Sequence, residues 1–369
     1  MGMLLYYFIL ASFSGALGLS QPICILDTAD RMNLVCKNVA NVFPTDMYYG
    51  NKNLQCENCD IKVFSLSTFP HENVLLSLNI SHTNLQAVDE SAFSHLGNLR
   101  NIYFEFNKID RVSSKAFKGL RQVYEINLRN NEIKDLIPGF IEDLEVSYFS
   151  LSHNKIEEIP NNVFKGTLVV ANLILSHNKI KNIHYDSFTG LEATEYLEID
   201  HNELCYIPIG AFRNLKELKY LNLASNKLSK FSLGTFSGLT ALYSLILANN
   251  SLETFEGDEL LPMHDLNRLD LKGNRLFYLD AHLIYTSAPT LKHVSFEGNV
   301  FSCLLLKNVI RYLKAQKVKI ETHSGNYDVQ NINGIACIEG PVDELTTKEF
   351  FFDKAKEEAE MSVRYNSYC

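Results

Sequence analysis

Residues 218–228 read LKYLNLASNKL, in which Leu218, Leu221, Leu223, Asn226 and Leu228 make the frame L-x-x-L-x-L-x-x-N-x-L. The frame returns at residues 266–276 as LNRLDLKGNRL, carried by Leu266, Leu269, Leu271, Asn274 and Leu276. Tracked along the chain, its asparagine slot recurs about every 24 residues, at Thr83, Asn107, Asn131, Asn154, Asn178, Asn202, Asn226, Asn250, Asn274 and Asn299. A period of this length, sustained over most of a chain, marks a stacked repeat array.

Within each unit the L-x-L pair alternates in and out, as a strand does. In the unit ending at Asn178, Leu173 and Leu175 should point inward, with Asn172, Ile174 and Ser176 facing out. One short strand cannot bury its apolar side alone, so the units are expected to stack as parallel strands ~4.8 Å apart. The asparagine amide can then bond backbone groups that the following turn leaves unpaired. Thr83 can do so only in part, so the first full coil should be less regular. A second slot, ten residues on, holds Phe93, Phe117, Phe164, Phe188, Phe212 and Phe236, then Leu260 and Ile284, predicting an aromatic spine on the convex side. The third unit is one residue short and offers Phe140 or Ile141 there, predicting a kink or altered loop. Leu54, Cys56, Cys59 and Ile61 fit the frame backwards, giving about eleven units between 51 and 301.

The ends of such an array expose core and need lids. Cys24, Cys36, Val39, Val42 and Pro44 precede the repeats; Phe301, Cys303, Val309, Ile310, Leu313 and Cys337 follow them. Together with the frame, these resemble the 24-residue class of extracellular leucine-rich repeat proteins, which includes Toll-type receptor ectodomains, Slit, small leucine-rich proteoglycans and insect secreted immune proteins. The resemblance implies an α/β solenoid, a curved horseshoe with a parallel concave sheet and cysteine-bearing N- and C-terminal caps. The boundaries expected are a signal peptide at 1–18, an N-terminal cap at 19–50, repeats at 51–301, a C-terminal cap at 302–340 and a charged, helical tail at 341–369. The C-terminal cap implies a Cys303–Cys337 bridge. Cap disulfides are expected among Cys24, Cys36, Cys56 and Cys59, with the pairing left open, and Cys205 reads as a buried free thiol.

The first 18 residues, MGMLLYYFILASFSGALG, are apolar from Met3 to Leu10 and end in small residues, with Ala16 and Gly18 placed for cleavage. Eight cysteines suit an oxidising compartment, and sequons at Asn79 and Asn249 are compatible with it. The expectation is a secreted protein without an integral membrane span. A balance of 43 acidic against 34 basic residues argues against a nucleic-acid partner.

Family members commonly bind protein partners on the concave sheet. The outward strand positions here include Tyr103, Glu105, Glu125, Arg129, Tyr148, Tyr196, Glu198, Asp200 and Tyr220, an acidic strip bearing tyrosines, the residue type that anchors interfaces. Arg268, Asp270, Lys272 and Lys292 give a mixed, more basic end. The bland reading is a solvated sheet with tyrosine chosen for its β-propensity. A glycan on Asn79 would direct a ligand towards the middle or C-terminal half. His153, His177 and His201 precede three successive ladder asparagines and should stack. Imidazoles ~5 Å apart suit a metal ion or pH sensing, but the preferred reading is a common His-Asn turn in which neutral histidines sit without a role. Neither metal nor cofactor is assigned. No nucleophile triad, carboxylate pair or phosphate loop is present, so catalysis is not expected.

Phe351, Phe352, Ala355 and Ala359 recur at helical spacing in the tail, which ends in Cys369, a candidate for a disulfide-linked dimer. The functional expectation is a secreted, non-enzymatic recognition protein binding an extracellular protein or microbial-surface ligand, with a role in immunity or signalling implied by the resemblance alone. The alternative is a structural component of the extracellular matrix or of cell adhesion.

Overall fold

A computed structural model of the protein describes residues 22–27, 29–44, 52–322 and 330–339. The 1–18 leader, the 341–369 tail and Cys369 lie outside the described residues.

One sheet of 14 strands forms the concave wall. In chain order the strands are β1 (Ile23–Leu26), β2 (Asn33–Lys37), β3 (Asn53–Glu57), β4 (Ser77–Asn79), β5 (Asn101–Tyr103), β6 (Gln122–Asn127), β7 (Glu145–Ser150), β8 (Val169–Ile174), β9 (Tyr196–Glu198), β10 (Tyr220–Asn222), β11 (Ser244–Ile246), β12 (Arg268–Asp270), β13 (His293–Ser295) and β14 (Lys319–Ile320). Neighbours in the sheet are neighbours in sequence. Only β1 runs antiparallel to its neighbour among these pairs; the rest are parallel. The inward row passes through Ile126, Phe149, Leu173, Leu197, Leu221 and Leu245, all fully buried.

The asparagine ladder closes the turns. Asn226 Nδ2 donates to Ile199 O of the preceding coil (2.9 Å) and to Leu223 O of its own (3.1 Å), while Oδ1 accepts from Leu204 N–H at 3.0 Å. Asn178, Asn202, Asn250 and Asn274 repeat the pattern. Thr83 has one hydroxyl for the task, 2.8 Å from Asn107 Oδ1 and 3.4 Å from Ile80 O.

Phenylalanines stack on the convex side, as in Phe93–Phe117 (5.3 Å) and Phe188–Phe212 (5.5 Å). The short third unit leaves the concave register unbroken, with Tyr148 paired to Glu125 and Glu145 to Gln122. Its missing residue is absorbed on the convex side. The outer ladder Val63–Phe64, Ala87–Val88, Arg111–Val112 stops there, and a new one, Glu158–Ile159 with Asn182–Ile183, starts beyond. Phe140 and Ile141 are both buried, and Phe149 reaches from the sheet to within 6.3 Å of Phe117 and 5.9 Å of Phe140. The aromatic spine is thus continued by a sheet residue where the loop is short.

Both ends are stapled. Cys24 on β1 is bridged to Cys36 opposite it on β2, and Cys56 to Cys59 inside the first coil. At the other end α1 (Ala281–Ser287) replaces the convex loop, and α2 (Cys303–Ala315) lays Leu306, Val309, Ile310 and Leu313 over the last coil. Ser302 caps α2, its hydroxyl accepting from Leu305 N–H at 3.2 Å, and Cys303 is bridged to Cys337. Cys205 is not a free thiol. It is disulfide-bonded, and half-buried because Leu204 takes the core position and turns the next side chain outward. Among the described residues no helix is long and apolar enough to cross a membrane.

Candidate binding face

Two columns of side chains stand on the concave wall. One runs Glu125, Tyr148, Asn172, Tyr196, Tyr220, Ser244, Arg268. Beside it run Tyr103, Asn127, Ser150, Ile174, Glu198, Asn222 and Ile246. Tyr196 and Tyr220 stack with ring centroids 5.7 Å apart, and Tyr148 and Tyr196 keep 37% and 44% of their surface exposed. Asn172 separates Tyr148 from this pair. Tyr103 donates its hydroxyl to Glu125 Oε2 at 3.3 Å.

Burial governs protonation here. It raises the Glu198 carboxyl above the usual range, with Asp200 adding repulsion. It also raises the hydroxyls of Tyr148 and Tyr220, each helped by the Glu198 charge. Tyr103 is raised by burial and by Glu125. These tyrosines remain neutral donors at physiological pH.

Two expectations need correction. Ser176 and Asp200, placed outward by alternation, are buried, Asp200 to 8% exposure. The strands end two residues earlier, at Ile174 and Glu198, and the chain is already turning inward. Asp200 is therefore engaged, accepting from Ser176 Oγ at 2.5 Å and lying 2.6 Å from His201 Nδ1. Two cations of the basic end are also paired, Arg268 with Glu321 at 2.9 Å and Lys272 with Glu297 at 3.3 Å, while Lys292 is exposed. Arg129 is exposed and Glu105 half-buried. The histidine column forms, with His153–His177 and His177–His201 centroids 4.2 and 4.1 Å apart. Burial, then the neighbouring His177, lowers the His153 imidazole from its usual value.

Tyr243 was not among the sequence candidates. With Tyr196, Tyr220, Ser244, Lys219 and Lys292 it lines a depression of about 550 Å³ at the strand-entry edge of the wall. The column that contains it, Glu195, Lys219, Tyr243, is legible from the same spacing, one residue before each strand.

The leucine rich repeat family model matches residues 72–133, 98–155, 145–204, 206–252 and 234–276, more than half of the chain. The chain is a leucine-rich repeat protein. Its relatives include fibromodulin of Sus scrofa, 30% identical over 98 residues, which are 27% of this chain and 65% of that protein. Lumican of Gallus gallus is 30% identical over 116 residues, covering 31% of this chain and 33% of the relative. Toll-like receptor 3 of Boselaphus tragocamelus is 26% identical over 133 residues, 31% of this chain and 14% of the receptor. The matches thus span less than two thirds of these relatives. Among solved structures, a chain of the octameric complex of Latrophilin 3, Unc5D and FLRT2 superposes with a TM-score of 0.69 at 22% identity, covering 85% of this leucine-rich repeat protein and 95% of that chain. At that identity the likeness is one of fold.

Proposed function

We propose that this leucine-rich repeat protein is a secreted recognition protein that binds an extracellular protein or a microbial-surface ligand through its concave wall, without catalysing a reaction. The observation that carries the reading is the Tyr196–Tyr220 stack on a rigid parallel sheet, with Tyr148 on the same column and the Tyr243 depression beside it. Rigid, half-exposed tyrosines lose little entropy on binding and supply large contact areas. Three described disulfides favour an oxidising compartment. A partner of immune or signalling kind, and glycans at Asn79 and exposed Asn249, belong to the same proposal.

Affinity capture from extracellular fluid with wild type and a Tyr196→Ala/Tyr220→Ala variant tests it. Each anchor is worth ~2 kcal/mol, about 30-fold, so the variant should lose its partner while keeping its melting temperature. Equal capture by both proteins would remove the concave tyrosines from the interface. The similarity to fibromodulin and lumican supports a second reading, a matrix component. Retention of the protein in insoluble matrix, in place of a soluble complex, would favour it.

A reductant-sensitive dimer through Cys369 belongs to the same proposal. Gel electrophoresis without reductant tests it: a dimer that reductant converts to monomer supports the linkage, and migration as a monomer removes it.

A further inference from the structure

The turn between β9 and the Asn202 slot brings together His177, Asp200 and His201, whose ligand atoms all lie within 4.8 Å of one another. We propose that these three residues form a binding site for a late first-row divalent cation, with zinc as its representative. The proposal is independent of which partner the concave wall takes.

The donor set selects the ion class. Two imidazoles and one carboxylate suit Zn²⁺, Ni²⁺ or Cu²⁺, whereas Mg²⁺ and Ca²⁺ take oxygen ligands. The three groups are not equally free. Asp200 is buried and fixed, one oxygen held by Ser176 Oγ and the other 2.6 Å from His201 Nδ1. It is the anchor of the site. His177 and His201 are exposed and stack on one another at 4.1 Å, so their rings can tilt while their backbones stay in the turn.

Tetrahedral zinc with bonds of ~2.1 Å needs ligand atoms ~3.4 Å apart. Reaching that spacing from separations of no more than 4.8 Å requires the rings to leave the parallel stack, and the 2.6 Å Asp200–His201 pair to open, by rotation about side-chain torsions that exposed imidazoles make readily. The cation enters between Asp200 and His201 in place of the hydrogen on Nδ1. The neutral imidazole then carries its hydrogen on Nε2, and His177 supplies the third ligand. Three protein ligands leave a fourth position for water or for a side chain of a bound partner.

The neighbouring coils provide the variants. Where this coil has Asp200 and His201, the next two have Ala224 with Ser225 and Ala248 with Asn249. His177 and His201 both sit at positive φ, 57° and 53°, as Asn249 does at 55°, so asparagine fits without backbone strain. The His177→Asn/His201→Asn and Asp200→Ala variants therefore use residues the array already tolerates.

The test is isothermal titration of the chelator-treated full chain with zinc chloride, alongside melting curves of the metal-free proteins. Wild type should bind one equivalent. The double histidine variant should lose at least about 100-fold in affinity with its metal-free melting unchanged, and Asp200→Ala should lose at least about 10-fold. Absence of a stoichiometric site in wild type would overturn the proposal. So would a one-equivalent site that survives intact in the double variant, since the zinc would then be held by other histidines of the chain.

Discussion

Asn226→Ala should destabilise the protein by about 3–5 kcal/mol, a fall in melting temperature on the order of 10 °C. The side chain is buried and serves two coils at once. Its loss leaves Ile199 O and Leu223 O without their donor and Leu204 N–H without its acceptor, in a place water does not reach. Each such group costs ~1–3 kcal/mol when left unpaired, partly offset by relaxation. Asn226→Asp is the sharper variant. It preserves the shape but turns a donor that faced the carbonyl oxygens of Ile199, Leu223 and Ala224 into a carboxylate. Its folded-state pKa would be raised above the unfolded value, so the variant should recover stability as pH falls through the carboxylate range and lose it as pH rises. A loss no greater than that of a surface substitution would mean the ladder amides are not shared between coils. Because each coil supports only its neighbours, a lesion in mid-array should also broaden the transition, seen by calorimetry.

Gly190→Ala is expected to have an effect of similar size for a different reason. A Cβ built on Gly190 would stand 2.0 Å from Phe164 O and 2.7 Å from Phe164 C, backbone atoms of the preceding coil. No rotamer relieves that overlap; the coils themselves would have to separate. The residue also holds φ at 99°, where a side chain costs a further ~1–2 kcal/mol. Gly166 separates the two contributions. It has a similar φ of 87°, but its Cβ would meet the flexible Glu142 side chain at 3.1 Å. Gly166→Ala should therefore show the backbone penalty alone, and Gly190→Ala the penalty plus the clash, at least about 3 kcal/mol in total. Equal melting temperatures for the two variants would refute so close an approach of the convex loops.

The frame could be read from sequence because the ladder contacts between coils join residues about one period apart. Asn226 and Leu204 are coupled by the repeat itself, so local spacing carries three-dimensional information. The same logic failed where the strand stops. Ser176 and Asp200 follow the alternation on paper, yet the chain leaves the sheet at Ile174 and Glu198, and beyond that point the parity of a position no longer tells which way it faces. The charge of the C-terminal end failed for another reason. Glu321, which neutralises Arg268, arrives just after β14, outside the period, where spacing predicts nothing. Cys205 belongs to the same class, since a disulfide partner is chosen by proximity that no repeat frame encodes.

The concave sheet has no crossover, and its middle strands repeat in register. In engineering terms the array is editable in whole units. Excision of residues 227–250 would place Ser251 and Leu252 directly after Asn226, restoring the N-x-L sequence that Lys227 and Leu228 supply now. Asn274 would then meet the coil that Asn250 meets today, and Tyr220 would gain Arg268 as its neighbour in the column in place of Ser244. The reach of the tyrosine strip and the closure of the two caps are therefore separately adjustable properties of one chain.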